Sequence, residues 1–283
     1  MTEHTHSLTS TDSSHGHRHE EGLARLLDLD AAMSGTSGDE VAGWATRYAG
    51  GSPDRIADLG SGTGTGALAL ARRFPAAEVL AVDRSPVMLE RVRAAAREQG
   101  LEGRVHAVPA DLDQEWPALG AVDLVWASSF LHEVADPGAV LGHVRGALRP
   151  GGLLAVVELD GLPRFLPENL GFGRPGLESR CHRVLADAGW NAHPDWRPLL
   201  EAAGFEVHGP HTVSASGHED PAATAHYAQA WLAHMRPALQ ERVGADDLAV
   251  LDRLLAPDSP ETLRHRRDLS FRAGRTVWAA RRP

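Results

Sequence analysis

Arg55-Ile-Ala-Asp-Leu-Gly-Ser-Gly-Thr-Gly-Thr-Gly-Ala-Leu-Ala-Leu-Ala71 is the stretch around which this chain is organised. Its apolar start, Ile56 to Leu59, predicts a short buried strand, and its end predicts a helix from Thr65 to Arg73. Between them lie Gly60, Gly62, Gly64 and Gly66, spaced two apart. A strand that turns at once into a helix through glycines lets backbone N–H groups approach a ligand with no Cβ in the way. Glycine spacing alone is weak evidence. Here an acidic residue, Asp83, ends a second strand about twenty positions on, which is the context of a nucleotide-type site.

Outward from that stretch, strands and helices alternate. Strand Glu78–Val82 precedes helix Pro86–Gln99, which has Ser85 at its N-cap and Gly100 just past its end. Strand Arg104–Val108 leads to the loop Pro109–Asp113, and strand Val122–Ala127 leads to Ser128-Ser129-Phe130-Leu131-His132-Glu133. Helix Asp136–Leu148 stops at Pro150-Gly151-Gly152, and strand Leu153–Val157 follows. Such alternation predicts βαβ units and a parallel sheet, with ligands beyond the carboxyl ends of its strands. After Glu158 the pattern breaks. Residues 160–194 are rich in Gly, Pro and aromatics and predict an insertion over the ligand edge, with a helix around Leu177–Ala188. A helix Trp196–Ala203, a strand Phe205–Val213, two helices within 221–256 and a strand Leu269–Ala280, with a turn or bulge at Ala273-Gly274, complete the chain. Ahead of the glycine stretch, helices are predicted over Glu20–Met33 and about Gly38–Ala49, placed either on the sheet edge or in a lid.

The expected division is therefore a disordered tail (1–19), N-terminal lid helices (20–51) and a ligand-binding core (52–160). A lid insertion (161–194) and the C-terminal part of the sheet (195–283, with helical insertion 221–256) follow. The tail holds His4, His6, His15, His17 and His19, but no carboxylate or Cys framework fixes a metal geometry, so no metal site is expected. The net charge of −10 argues against nucleic acid and anionic membrane as partners, because phosphate neutralisation needs surplus Lys and Arg. No apolar run approaches the ~20 residues that span a bilayer. The polar start is unlike a signal peptide, and Cys181 is the only cysteine, which fits a cytoplasmic location. A homodimer is compatible with these features.

The combination of Asp58-Leu-Gly-Ser-Gly-Thr-Gly64, Val82-Asp83, Ala110-Asp111-Leu112, Val122-Asp-Leu-Val-Trp-Ala127 and Leu148-Arg-Pro-Gly-Gly-Leu153 resembles the class I S-adenosylmethionine-dependent methyltransferases. The likeness covers residues 55–158 and is nearest to the small-molecule, ubiquinone/menaquinone-biosynthesis-like type. It implies an α/β, Rossmann-like, seven-stranded, mostly parallel sheet with helices on both faces, lidded by the N-terminal helices and helical insertions. It also implies S-adenosylmethionine as methyl donor, S-adenosylhomocysteine as product and a small-molecule acceptor methylated at O, N or C. Carried over by position, Gly60, Ser61 and Gly62 approach the methionine part, with Asp58 near its ammonium, and Asp83 accepts from both ribose hydroxyls. Asp111 accepts from the adenine amino group, with Asp113 as its rival, and the Leu112 backbone reads the ring edge. Ala127 and Ser128 border the donor at the end of the fourth strand. Arg84 departs from the family pattern, standing where many relatives carry an apolar residue against the adenine, and its guanidinium is available to stack there.

Methyl transfer from a sulfonium is an in-line displacement in which positioning supplies most of what the protein adds. A base is needed only where the nucleophile carries a proton of high pKa. His132, after the fourth strand, is the candidate, with a loop-capping or cofactor-touching role as its rival. Glu133 reads as solvated or as a loop anchor, Glu158 as a weaker candidate for substrate contact, and Trp190 and His193 as lid residues able to line a pocket. The alternative function is a donor-binding protein on the same fold that transfers no methyl group, acting as a binding module or cyclase-type catalyst, since fold alone does not decide chemistry.

Overall fold

The computed structural model describes residues 10–34, 37–190, 195–217 and 220–283. Among these, seven strands form one sheet: β1 (Arg55–Leu59), β2 (Glu78–Asp83), β3 (Val105–Pro109), β4 (Val122–Ser128), β5 (Leu148–Leu159), β6 (Glu206–Gly217) and β7 (Phe271–Arg281). Their order is β3-β2-β1-β4-β5-β7-β6. Neighbouring strands from β3 to β5 run parallel, while β7 is antiparallel to both β5 and β6. The helices are α1 (Ser10–Ser34), α2 (Ser37–Ala45), α3 (Thr65–Arg73), α4 (Pro86–Glu98), α5 (Pro137–Ala147), α6 (Leu177–Asp187), α7 (Arg197–Ala202), α8 (Pro221–Leu239) and α9 (Ala245–Leu255).

The central strands β2, β4 and the second half of β5 are apolar at most positions because both faces of the sheet are covered there. Ile56, Leu124, Leu153 and Val157 pack on one side with Leu70 of α3, Val92 of α4 and Val41 of α2. Their neighbours Ala57, Val125, Leu154 and Val156 pack on the other with Leu141 and Val144 of α5 and Leu200 of α7. A third core lies beyond the strand ends. There Phe165 and Leu166, Leu185 of α6, Tyr227 and Trp231 of α8, Leu251 of α9 and Phe271 come together with Leu26 of α1. The two N-terminal helices thus separate: α1 joins this lid, whereas α2 lies on the sheet.

Four expectations change. Helix α1 begins at Ser10, so part of the segment expected to be disordered is helical. Once a helix is nucleated, each added residue gains a hydrogen bond at little further cost, even where no apolar face guides it. His15, His17 and His19 fall on this extension, while His4 and His6 lie outside the described residues, as does His193. Strand β5 is longer than its apolar run because Leu148 already pairs with Val122 and antiparallel β7 extends the ladder to Leu159. β7 runs straight through Ala273-Gly274; the irregularity sits instead in edge strand β6 between His208 and His211, where Pro210 has no N–H for the ladder. Asp136, expected as the first residue of α5, is its N-cap, with Oδ1 accepting from the Ala139 amide at 2.9 Å.

Phe165 is fully buried at the centre of the lid core, edge-on to Tyr227 at 4.9 Å. Phe165→Ala is expected to cost about 3–5 kcal/mol of stability, measured by denaturant unfolding; a loss under about 1 kcal/mol would show that the lid core is not continuous.

Candidate active site

Strands β1, β2 and β4 end at a cavity of about 770 Å³, roofed by Leu23, Leu27 and Asp30 of α1 and by Tyr227, Trp231 and His234 of α8. Gly60 (φ +62°) and Gly62 (φ +53°) form part of its wall in the left-handed conformation that favours glycine. A Cβ on Gly60 would fall 2.3 Å from Cδ2 of Phe130, and one on Gly62 would fall 3.1 Å from Cδ1 of Leu27. The Ser61 amide donates to the Val82 carbonyl and the Gly62 amide to Asp83 Oδ2, each at 2.9 Å. These two amides therefore fasten the loop to β2 instead of pointing at a ligand. The space that glycine leaves admits Phe130 and α1. Ser61 is buried behind the loop and does not line the cavity.

Asp58 does not line the cavity either. It is 3% exposed, and its carboxyl accepts from the Ala67 amide at the start of α3. Burial, opposed by that hydrogen bond and reinforced by the charge of Asp83, pushes it up to about 8. Gly66 is explained here, since a Cβ would fall 2.9 Å from Asp58 Oδ2. Asp58, expected near a donor ammonium, lies beneath the loop instead of on the cavity wall, where the first turn of α3 needs an acceptor for its amides.

Asp83 is on the wall. Its Oδ1 accepts from the Ser85 amide and its Oδ2 from the Gly62 amide, both at 2.9 Å, which leaves each oxygen a lone pair toward the cavity. Burial raises its pKa and the two amides lower it, with a net upward shift. Glu20 of α1 stands beside it, accepting from Ser85 Oγ at 2.8 Å. Nothing local in the sequence marks Glu20 as a site residue, because only the docking of α1 brings it here. Asp111 and Leu112 line the next part of the cavity with Val82 and buried Met88. Asp113, the rival of Asp111, lines the same part of the cavity, and its Oδ1 also accepts from the Ala135 amide at 2.8 Å, bracing the loop after β4. Arg84 is exposed at the rim, where Met88 supplies the apolar surface.

Ala127 and Ser128 sit one step short of the cavity. β4 runs through Ser128, which pairs with Val157, and the wall begins at Ser129 (φ +50°) and Phe130. His132 follows on the same wall. Its Nδ1 lies 2.8 Å from Oε2 of Glu158 and its Nε2 3.1 Å from Oε1 of Glu133. Glu158, expected as a weaker candidate for substrate contact, is 1% exposed and outside the cavity lining; its Oε1 accepts from the Leu131 amide at 3.1 Å, and its Oε2 aims the imidazole. Burial works against an imidazolium, but hydrogen bonds to Glu133 and Glu158 and their charges outweigh it, pushing His132 up to about 9. At the far end, Asp30 accepts from Tyr227 Oη at 2.8 Å and pairs with Arg275 of β7. Asp30 and Arg275 also escape a reading of the sequence, being 245 positions apart.

Residues 56–152 match the family model described as methyltransferase domain. The chain is 38% identical over 143 residues to the trans-aconitate 2-methyltransferase of Pseudomonas aeruginosa, covering 46% of this chain and 50% of that enzyme. It is 40% identical over 112 residues to the demethylmenaquinone methyltransferase of Thermus thermophilus, covering 40% and 50%. The chain thus spans about half the length of these curated relatives. A crystal structure of a Bacillus halodurans protein superposes with a TM-score of 0.54 at 21% identity, over 87% of this chain and 99% of that one, a likeness of fold.

The two carboxylates around His132 have a direct spectroscopic consequence. Its imidazole should titrate in NMR near pH 9, and Glu133→Gln should lower that midpoint. A wild-type midpoint near the ordinary ~6.5 would contradict the paired geometry.

Proposed function

We propose that this chain, whose residues 56–152 are a methyltransferase domain, is an S-adenosylmethionine-dependent enzyme that methylates a small molecule. The observation that carries the proposal is one cavity holding two different chemistries: the Asp83–Glu20 carboxylate pair at one end and the Glu158–His132 dyad at the other.

The wall residues fit the donor. Two adjacent carboxylates, one anchored by two backbone amides, suit a vicinal diol such as a ribose. Val82, Met88 and Leu112 make an apolar slot for a purine, with Asp111 as acceptor for its amino group. The carboxylates of Asp83, Glu20 and Asp111 give this end a negative field that favours a cationic ligand. When bound, S-adenosylmethionine supplies a methyl group on a sulfonium sulfur that keeps the electron pair of the broken S–CH3 bond. The chain's share is to hold the reactants in line, exclude water under α1 and α8, and take up the acceptor's proton where there is one. Glu158 holds Nδ1 of His132, so the proton's route is through Nε2, which lies 3.1 Å from Glu133 Oε1. Glu133, 63% exposed at its side chain, keeps that nitrogen in reach of solvent. Enclosure beneath two helices favours a small acceptor over a polymer, and the net charge of −10 argues against a nucleic acid. No described helix is long and apolar enough to cross a membrane.

Turnover is read as S-adenosylhomocysteine formed against a panel of small hydroxyl, amine and carbon acceptors. Donor binding without product from any of them would favour a non-transferring donor-binding protein. Asp83→Ala should weaken donor binding at least tenfold, about 1.4 kcal/mol, and calorimetry finding unchanged affinity would remove the ribose role. For a proton-bearing acceptor, kcat/KM should climb as His132 loses its proton and level off above about pH 9. A flat profile across that range would remove His132 as base.

A further inference from the structure

The half of the cavity away from Asp83 has its own character. Tyr227, Trp231 and His234 follow one another at i, i+4 and i+7 along α8, so one face of that helix presents three rings to the space. Trp190 adds a fourth ring, its centroid 5.8 Å from that of His234. Leu159, Leu162 and Pro163, from the end of β5 and the loop after it, form further apolar wall. Such a surface suits a flat apolar body.

Its charge is equally selective. The cations at this end are already held: the Arg275 guanidinium by Asp30, and the His132 imidazolium by Glu158 and Glu133. The second oxygen of Asp30 is occupied by Tyr227, so the pair is fixed from three elements: α1, α8 and β7. An acceptor bearing a carboxylate would have to displace Asp30 from Arg275 or Glu133 from His132, or enter beside those carboxylates, at a large desolvation cost.

We propose that the acceptor is an uncharged, planar aromatic molecule with a phenol-type hydroxyl, seated against Trp190 and Trp231, and that the Asp30–Arg275 pair rejects carboxylated analogues. The assignment rests on the methyl-transfer reading above. It also sets this chain apart from the trans-aconitate enzymes with which it shares its core, whose named substrate is a polycarboxylate. In the reaction the hydroxyl proton passes to Nε2 of His132, the oxygen's electron pair forms the new O–CH3 bond, and the pair of the broken S–CH3 bond stays on sulfur. A phenol has a pKa of about 10, close to that of a histidine held near 9 by its carboxylates, which is the matching that efficient proton transfer requires.

The test is calorimetric binding of three probes to the full chain: 2-naphthol, 6-hydroxy-2-naphthoate and trans-aconitate. 2-Naphthol should bind at least tenfold more tightly than either anion. Trp190→Ala and Trp231→Leu should each weaken naphthol about fivefold or more without altering affinity for S-adenosylhomocysteine. Asp30→Asn should narrow the gap between naphthol and hydroxynaphthoate by releasing Arg275. Equal or tighter binding of either anion, or naphthol affinity unchanged in both tryptophan variants, would overturn the assignment. S-adenosylhomocysteine affinity, measured separately, reports on the donor reading, so the two can fail independently.

Discussion

The carboxylate of Asp83 ties together the parts on which the site depends. One oxygen holds the Gly62 amide of the loop after β1, and the other holds the Ser85 amide at the start of α4. Ser85 then uses its hydroxyl twice, accepting from Met88 to cap α4 and donating to Glu20 of α1. A single buried-edge carboxylate thereby joins two strands, one helix start and, through Ser85, the lid. Backbone amides donating to an ionised acceptor are stronger than neutral hydrogen bonds. That strength is what lets a loop of glycines, each costly in conformational entropy, hold one shape.

The same device recurs at the other end of the cavity. Glu158 joins the Leu131 amide to the His132 imidazole, so the loop after β4 and the base candidate are positioned from β5. Asp30 joins Tyr227 to Arg275, so α1 and α8 are held over β7. Each of these carboxylates bridges elements that the hydrophobic cores bring near but do not align. Burial of apolar surface has no direction, whereas a two-oxygen acceptor fixes both distance and angle.

How much was legible in the residues follows from the range of the physics involved. α3, Thr65–Arg73, emerged with its predicted ends, because Gly64 and Phe74 flank a local apolar period. The parallel core was legible because strands buried on both faces leave continuous apolar runs. Misses occurred where an element's end depends on a partner strand: β4 runs one residue past its apolar stretch, which moves the wall from Ala127 and Ser128 to Ser129 and Phe130. Asp83, Asp111 and His132 were visible as polar residues after strands and do line the cavity. Asp58 and Ser61 carried the same signal and lie behind the loop, because alternation along a strand does not say which polar residue faces the ligand and which faces the core.

By itself the sequence determined the order of strands and helices, the parallel core and the edge at which a ligand binds, since these arise from short-range periodicity, turns and caps. Only the tertiary structure decided that the glycine loop gives the Ser61 and Gly62 amides to β2 and uses its open space to admit Phe130 and the N-terminal helix. It alone brought Glu20 to Asp83, Glu158 to His132 and Asp30 to Arg275, pairs 63, 26 and 245 positions apart. Such pairings carry no local signature, because a carboxylate's partner is set by where packing delivers it and not by its neighbours in the chain.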